Sequence, residues 1–481
     1  VWTHLDARSE SCTGQKCSYF DDCYVTRMRQ QALESDLIVV NHALLFANLA
    51  LESDEIGRVL PDFSTLVLDE AHEVEDCAAT YFGKQISNYK IEEFCRDFEQ
   101  IFRNSEECVG QVNRVKSSSV DFFSLFPGSE GRSPLNFFPR GSGTFDLRVE
   151  MLEQQERLTS SLRIIYHHLR GQKKGYAPEI DPLIRRLEQL ITILEKIFDL
   201  KDTNHVYWFE KRGRGVFLHA NPIDVASILQ ENLFVRTDTT ILTSATLTTN
   251  NNFEYMKERL GFEEAAELVV GGEFNYSEQS ILYIPKTFPE PRSPDYLGCA
   301  LVEIKKILDI TEGHAFLLFT SFLQMNRVYE SLLETEKFPI FRQGEKPKTK
   351  LLKMFKTTPN SVLCATSSFW QGVDVQGDAL RAVIIDKLPF LVPTEPVVAA
   401  RIHRLESRAE NSFLRYSVPE AIITLKQGLG RLIRSRQDRG VLAILDSRLR
   451  TRSYGRLFLE SFPESPITDA IRDVRFFFQG P

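Results

Sequence analysis

Thr65-Leu66-Val67-Leu68-Asp69-Glu70-Ala71-His72 is a short apolar, β-rich run that ends abruptly in two adjacent carboxylates and a histidine. Continuous apolar runs of this length read as strands buried on both faces, the mark of a parallel sheet covered by helices. The pattern recurs at Asp36–His42, Thr239–Leu247, His314–Phe322, Ser361–Ser367, Arg381–Phe390 and Gly440–Leu449, each run closing in a small or polar cluster. In such sheets ligands bind at the carboxyl ends of the strands, which is where these clusters fall. The fold class read from the pattern is α/β.

Between Glu73 and Arg236 the texture changes. Asp181-Pro182 reads as a cap and first turn, followed by Leu183, Leu187, Leu190, Leu194 and Ile197 at the spacing of an amphipathic helix. The stretch Ser117–Gly143, rich in Ser, Gly, Pro and Phe, reads as an irregular connection inside a helical insertion. A second boundary falls near Gly271–Pro285, after which strands and helices alternate again.

Length and charge bound the function. The 481 residues suggest two to four domains, and 42% hydrophobic with 26% charged residues is ordinary for a globular chain. A net charge of −8 argues, as a total, against a general nucleic-acid binder. The total hides an uneven distribution: residues 62–110 hold 4 basic and 12 acidic side chains, whereas residues 401–456 hold 13 basic and 5 acidic. No apolar run reaches the roughly 18 residues that cross a bilayer, so a cytoplasmic protein without membrane contact is expected.

The charged clusters suit phosphate chemistry. Two acidic groups at a strand end can divide labour, one holding a hydrated magnesium ion and the other polarising an attacking water. A solvated strand terminus is the bland alternative for Asp69 and Glu70. Thr243-Ser244-Ala245-Thr246-Leu247 offers small hydroxyls after another strand, or simply a Ser/Thr turn. Gln427-Gly428-Leu429-Gly430-Arg431-Leu432-Ile433-Arg434 places two arginines three apart, a spacing that puts them on one helix face, where guanidiniums bind a terminal phosphate bidentately.

Taken in order, DLIVVNHALL (Asp36–Leu45), LDEAH (Leu68–His72), LTSATL (Leu242–Leu247), LFTSF (Leu318–Phe322), ATSSFWQGVDVQGDALRAVIIDKLPF (Ala365–Phe390) and ITLKQGLGRLIRSRQDRGVLAILDSRL (Ile423–Leu449) resemble the motifs of superfamily 2 DNA helicases of the XPD and DinG group. Within that group the chain looks like the bacterial YoaA-like branch. The resemblance implies two recA-like parallel-sheet motor domains, the first incomplete here, with ATP in the cleft between them, a helical arch insertion and an iron–sulfur segment. It implies residues 1–35 as the end of the cluster segment, 36–80 and 236–272 as motor domain 1, 81–235 as the arch and 273–481 as motor domain 2.

The same resemblance implies roles. Asp69 would hold Mg2+ through water, Glu70 would be the general base, and His72 would couple the nucleotide site to the motif around Gln427. Ser244 and Thr246 would link hydrolysis to movement, Gly372 and Asp374 would face the nucleotide or ribose, and Arg431 and Arg434 would be arginine fingers. The implied activity is ATP-dependent unwinding of DNA, with 5′ to 3′ translocation on single-stranded and forked DNA, by a monomer working in repair or replication, with replication or repair proteins as implied partners, in the bacterial cytosol.

Cys12, Cys17 and Cys23 crowd together while five other cysteines are scattered. Spacing alone leaves zinc and an iron–sulfur cluster equally open. The resemblance implies a [4Fe–4S] cluster whose fourth cysteine lies further upstream. The loop G-x-x-x-x-G-K-[ST] that cradles nucleotide phosphates does not occur in the 481 residues, and the first residue is Val1. The expectation is a piece of a longer motor, hydrolysing no appreciable ATP and holding no stable cluster by itself. The competing readings are a degenerate nucleic-acid-binding scaffold and an RNA helicase. Phe369, Trp370 and Trp208, the last beside Lys211, Arg212 and Arg214, are candidate stacking platforms for bases or plain packing residues.

Overall fold

Five apolar runs with every residue buried build the larger sheet: β7 (Ser280–Tyr283), β8 (Ala315–Phe319), β10 (Val362–Thr366), β11 (Ala382–Ile385) and β12 (Gly440–Ile444). With β9 (Ile340–Arg342) and β13 (Ile467–Thr468) at its edges, the computed structural model orders them β13-β7-β12-β11-β8-β10-β9, all parallel. Side chains alternate across a strand. Leu282, Phe316, Leu318, Val383 and Leu442 therefore enter one core, and Ile281, Ala315, Leu317, Ile384 and Val441 the core on the opposite face. The structure describes residues 12, 14–51, 59–126, 130–135, 145–171, 177–199, 202–335, 337–366, 369, 375 and 377–479.

By backbone proximity the chain forms two compact units. The first comprises Val1–Thr243, Arg259–Phe262 and Val392–Arg404; the second comprises Ser244–Glu258, Glu263–Leu391 and Leu405–Pro481 and contains the seven-stranded sheet.

In the first unit, β1 (Thr65–Leu68) pairs in parallel with β6 (Thr239–Leu242), Leu68 opposite Leu242. The run Asp36–His42 is not a strand. Leu37 and Val39 are 82% and 87% exposed, and the run ends where Asn41 caps the helix His42–Leu49 by accepting a hydrogen bond from the Leu44 amide at 2.8 Å. An apolar run becomes a strand only with a partner for its backbone groups. Among the described residues no strand pairs with this run.

The insertion is not purely helical. Four helices, α1 (Asn88–Phe102), α2 (Glu106–Ser124), α3 (Phe145–Gly171) and α4 (Ala177–Asp199), share one core with an antiparallel sheet ordered β2 (Lys84–Ser87), β5 (Gly215–Pro222), β4 (His205–Arg212), β3 (Gly131–Pro134). Helix α2 runs on to Ser124 through part of the stretch read as irregular. The stripe Leu183, Leu187, Leu190, Leu194, Ile197 is buried as its spacing requires, but α4 begins at Ala177, so Pro178 occupies the first turn and Pro182 lies inside.

Candidate active site

In the first unit the chain leaves β1 through a sharp turn. Leu68 is buried and Asp69 and Glu70 are exposed at the carboxyl end of the strand. Glu70 adopts φ 49° and ψ 45°, the left-handed region, at a cost of about 1 kcal/mol for a residue with a Cβ. The short 3-10 helix Ala71–Glu73 follows directly. His72, its side chain only 6% exposed, comes to rest with Nδ1 3.4 Å from Glu70 Oε2 and Nε2 3.8 Å from Glu73 Oε1. The turn is pinned to β6: the Ala71 amide donates to Thr243 O at 3.0 Å, and the Thr243 amide donates to Leu68 O at 2.9 Å. Adjacent exposed carboxylates at a strand end suit a hydrated Mg2+, which binds through one or two carboxylates and keeps several waters.

The second unit holds the hydroxyl and arginine motifs. The Thr246 amide donates to Ser244 Oγ at 3.1 Å, a Ser/Thr turn, and Thr246 is 7% exposed. The helix α5 (Val418–Leu429) carries Gln427, buried, and Lys426, whose Nζ donates to Thr248 O at 3.0 Å and Thr248 Oγ1 at 3.1 Å. Burial lowers the Lys426 pKa. These contacts fasten the helix that precedes the arginines to the segment that follows Ser244 and Thr246.

The arginines do not share a helix face. Helix α5 ends at Leu429 with Gly430 as its cap, so Arg431 and Arg434 sit on the loop beyond it. Gly428 and Gly430 weaken the last turn, and Leu432 and Ile433, each 1% exposed, plunge into the core between the two arginines. Lys348 lies over the buried Phe369 ring at 5.1 Å, and its pKa is lowered by burial and by Arg431. Phe369 is thus a packing residue. Gly372, Asp374 and Trp370 lie outside the described residues.

Trp208 is also packed away. It is 5% exposed, stacks on His219 with centroids 3.8 Å apart and planes 4° from parallel, and carries Arg132 5.1 Å above its ring. Burial pushes the His219 pKa down to about 4.

The cysteine segment is turn-rich. Cys12 Sγ accepts from the Gly14 amide at 3.4 Å, and Cys23 precedes the helix Tyr24–Leu33. All three thiols are partly exposed. Among the described residues no three Cys, His, Asp or Glu side chains gather as a metal ion would require. No helix among the described residues is long and apolar enough to cross a membrane.

Two groups escaped the sequence reading. One is a buried ionic knot just past the acidic turn: Glu75, 8% exposed, takes Arg401 Nη2 at 2.6 Å and Arg259 Nε at 2.9 Å. The other is Asp438, 6% exposed, in the loop after the arginines. Acidic residues among apolar neighbours are the signal for both, but their partners are remote or are backbone amides.

Comparison with known proteins follows the motifs. Residues 304–465 match the helicase C-terminal domain family model. The chain is 35% identical over 480 residues to ATP-dependent DNA helicase YoaA of Haemophilus influenzae, covering 99% of this chain and 74% of that protein. It is 30% identical over 474 residues to ATP-dependent helicase DinG of Mycobacterium tuberculosis, covering 96% and 69%. Its fold is similar to that of S. tokodaii Xpd4, with a TM-score of 0.55, 16% identity, and coverage of 87% of this chain and 78% of that one.

Proposed function

The chain belongs to the YoaA/DinG family of ATP-dependent DNA helicases, and from that premise we propose how its residues divide the work of hydrolysis and movement. It is an ATP-dependent DNA helicase, with ATP and Mg2+ as the hydrolytic pair and DNA as substrate. Asp69 holds the hydrated metal ion, and Glu70 accepts the proton of the attacking water. The observation that carries this division is the left-handed turn at Glu70, which presents two adjacent carboxylates to solvent while His72 braces the second of them. Arg431 and Arg434 compensate the charge that develops on the terminal phosphate. Ser244 and Thr246, fastened through Thr248 to Lys426, relay the change to the helix that leads into the arginine loop. Gly372 and Asp374 belong to the nucleotide or ribose contacts. The domain plan, with motor domain 1 resuming at 236–272, belongs to the same proposal.

The finer substrate reading is translocation from 5′ to 3′ on single-stranded and forked DNA by a cytoplasmic monomer. Supporting it are the family membership and the basic stretch 401–456. Strand displacement on DNA and RNA duplexes with 5′ or 3′ single-stranded tails tests it. Unwinding of 5′-tailed DNA alone is expected; equal unwinding of RNA, or of 3′-tailed DNA, contradicts it.

A [4Fe–4S] cluster on Cys12, Cys17 and Cys23 is supported by the resemblance, their spacing alone suiting zinc equally well. No step of the mechanism is routed through it, because the three thiols are not gathered to one point.

A further inference from the structure

The helix ends before its two arginines, so their placement must come from elsewhere. A loop that carries cationic side chains keeps one shape only if its backbone groups are satisfied. Leu432 and Ile433 anchor its start in the core. Its end is organised by one carboxylate. Asp438 Oδ2 accepts the amides of Arg434 at 2.8 Å and Ser435 at 2.9 Å, while Oδ1 accepts Ser435 Oγ at 2.6 Å and the Gly377 amide at 3.2 Å. From behind, the buried Gln279 donates Nε2 to Ser435 O at 2.8 Å and Asp438 O at 2.9 Å.

We infer that Asp438 is a positioning residue for nucleotide hydrolysis: it sets the backbone from which Arg434 projects and ties that loop to Gly377, in the segment that follows Gly372 and Asp374. The inference rests on the reading of Arg434 given above. Four donors on one buried carboxylate form charge-assisted bonds, stronger than neutral ones. Asparagine keeps the shape but turns an NH2 towards at least one amide donor, and the loop must shift. A guanidinium displaced by about 1 Å loses much of what it contributes to a transition state. The loss falls on kcat, because ground-state binding of ATP needs less exact placement.

The experiment measures DNA-stimulated ATP hydrolysis by the full protein as its gene encodes it, for Asp438→Asn, Ser435→Ala, Arg434→Ala and the double variants with Arg434→Ala. Asp438→Asn is expected to lower kcat by about 10- to 100-fold, with KM for ATP within about threefold and single-stranded DNA affinity unchanged. Ser435→Ala, which removes one of the four bonds, is expected to lower kcat by about fivefold. In the Arg434→Ala background neither change should add a further loss, because the residue they position is gone. Wild-type kcat in Asp438→Asn, or a loss that multiplies with that of Arg434→Ala, overturns the inference. Wild-type kcat in Arg434→Ala itself overturns instead the role given to Arg434. Should Asp438→Asn fail to fold, Ser435→Ala carries the test alone: a loss absent from the Arg434→Ala background supports the inference, and no loss or a multiplying loss overturns it.

Discussion

Arg401 Nη2 lies 2.6 Å from Glu75 Oε1, and both residues are more than nine-tenths buried. Arg401 also donates Nε to Ile223 O at 3.2 Å, and the other oxygen of Glu75 takes Arg259 Nε. One carboxylate three residues after His72 thus compensates two guanidiniums from distant parts of the sequence. Removing it takes that partner from the buried Arg401 and the partly buried Arg259, and breaking a buried pair typically costs about 3–5 kcal/mol. Glu75→Gln is expected to lower the thermal midpoint sharply, whereas Glu73→Gln, on the exposed side of the same turn, should leave it nearly unchanged. Equal small effects in a calorimetric scan would contradict the role given to the knot.

The insertion has its own core, and it should respond as a core. Phe122 is fully buried and meets Phe123, Phe126 and Phe198 with centroids 4.9, 5.4 and 5.5 Å away. Phe122→Ala is expected to cost about 3–5 kcal/mol. Amide hydrogen exchange should locate the lost protection in α1, α2 and α4, leaving β8, β10 and β11 as in the wild type. Loss of protection in both sets alike would mean that the insertion does not fold as a separate unit.

Asp386, at the end of β11, supplies a pH signature. It accepts the Thr320 amide at 3.1 Å, and burial pushes its carboxyl up to about 7, opposed by Lys387 and the Lys387 and Thr320 amides and reinforced by Asp446. The sign follows from proton binding. The native state retains the proton between the ordinary carboxylate pKa and about 7 while the unfolded chain releases it, so this contribution to stability is complete in acid and lost as pH rises through that window. Asp386→Asn keeps an acceptor for the amide without the charge. Its stability relative to wild type should therefore grow by about 1–4 kcal/mol from pH 5 to pH 8, read from urea midpoints. A difference independent of pH would refute a protonated Asp386.

The sequence carried the second unit well because its strands are buried on both faces, and a continuous apolar run such as AVII in β11 has few other places to go. Strand β1 is not buried on both faces, Val67 being 58% exposed, yet the acidic turn was legible: charge cannot follow Leu68 into the core, so it marks the strand end. Other features left weaker traces. Strand β4 mixes buried residues with Glu210, held by Arg212 at 2.6 Å, so its sequence does not alternate cleanly and the antiparallel sheet was missed. The i, i+3 spacing of Arg431 and Arg434 implied a helix that the glycines end. Asp438 went unread because its donors are mostly backbone amides, which no side-chain pattern announces.

The cysteines can be tested without activity. Anaerobically purified full protein is expected to absorb broadly in the violet-blue and to contain iron and acid-labile sulfide, and Cys17→Ser should lose all three. Bound zinc without that absorption would replace the cluster by the chemical alternative. By contrast Cys95, buried and with its thiol pushed up to about 12, should resist alkylation in the native protein.

On the proposed mechanism Glu70, the carboxylate held in the left-handed turn after β1, is the base that activates water. The most direct measurement is the rate of DNA-stimulated ATP hydrolysis by Glu70→Gln in the full protein, with single-stranded DNA affinity measured on the same sample. A fall of about 100-fold or more, with DNA binding intact, is expected. Hydrolysis at the wild-type rate would mean that another group activates the water.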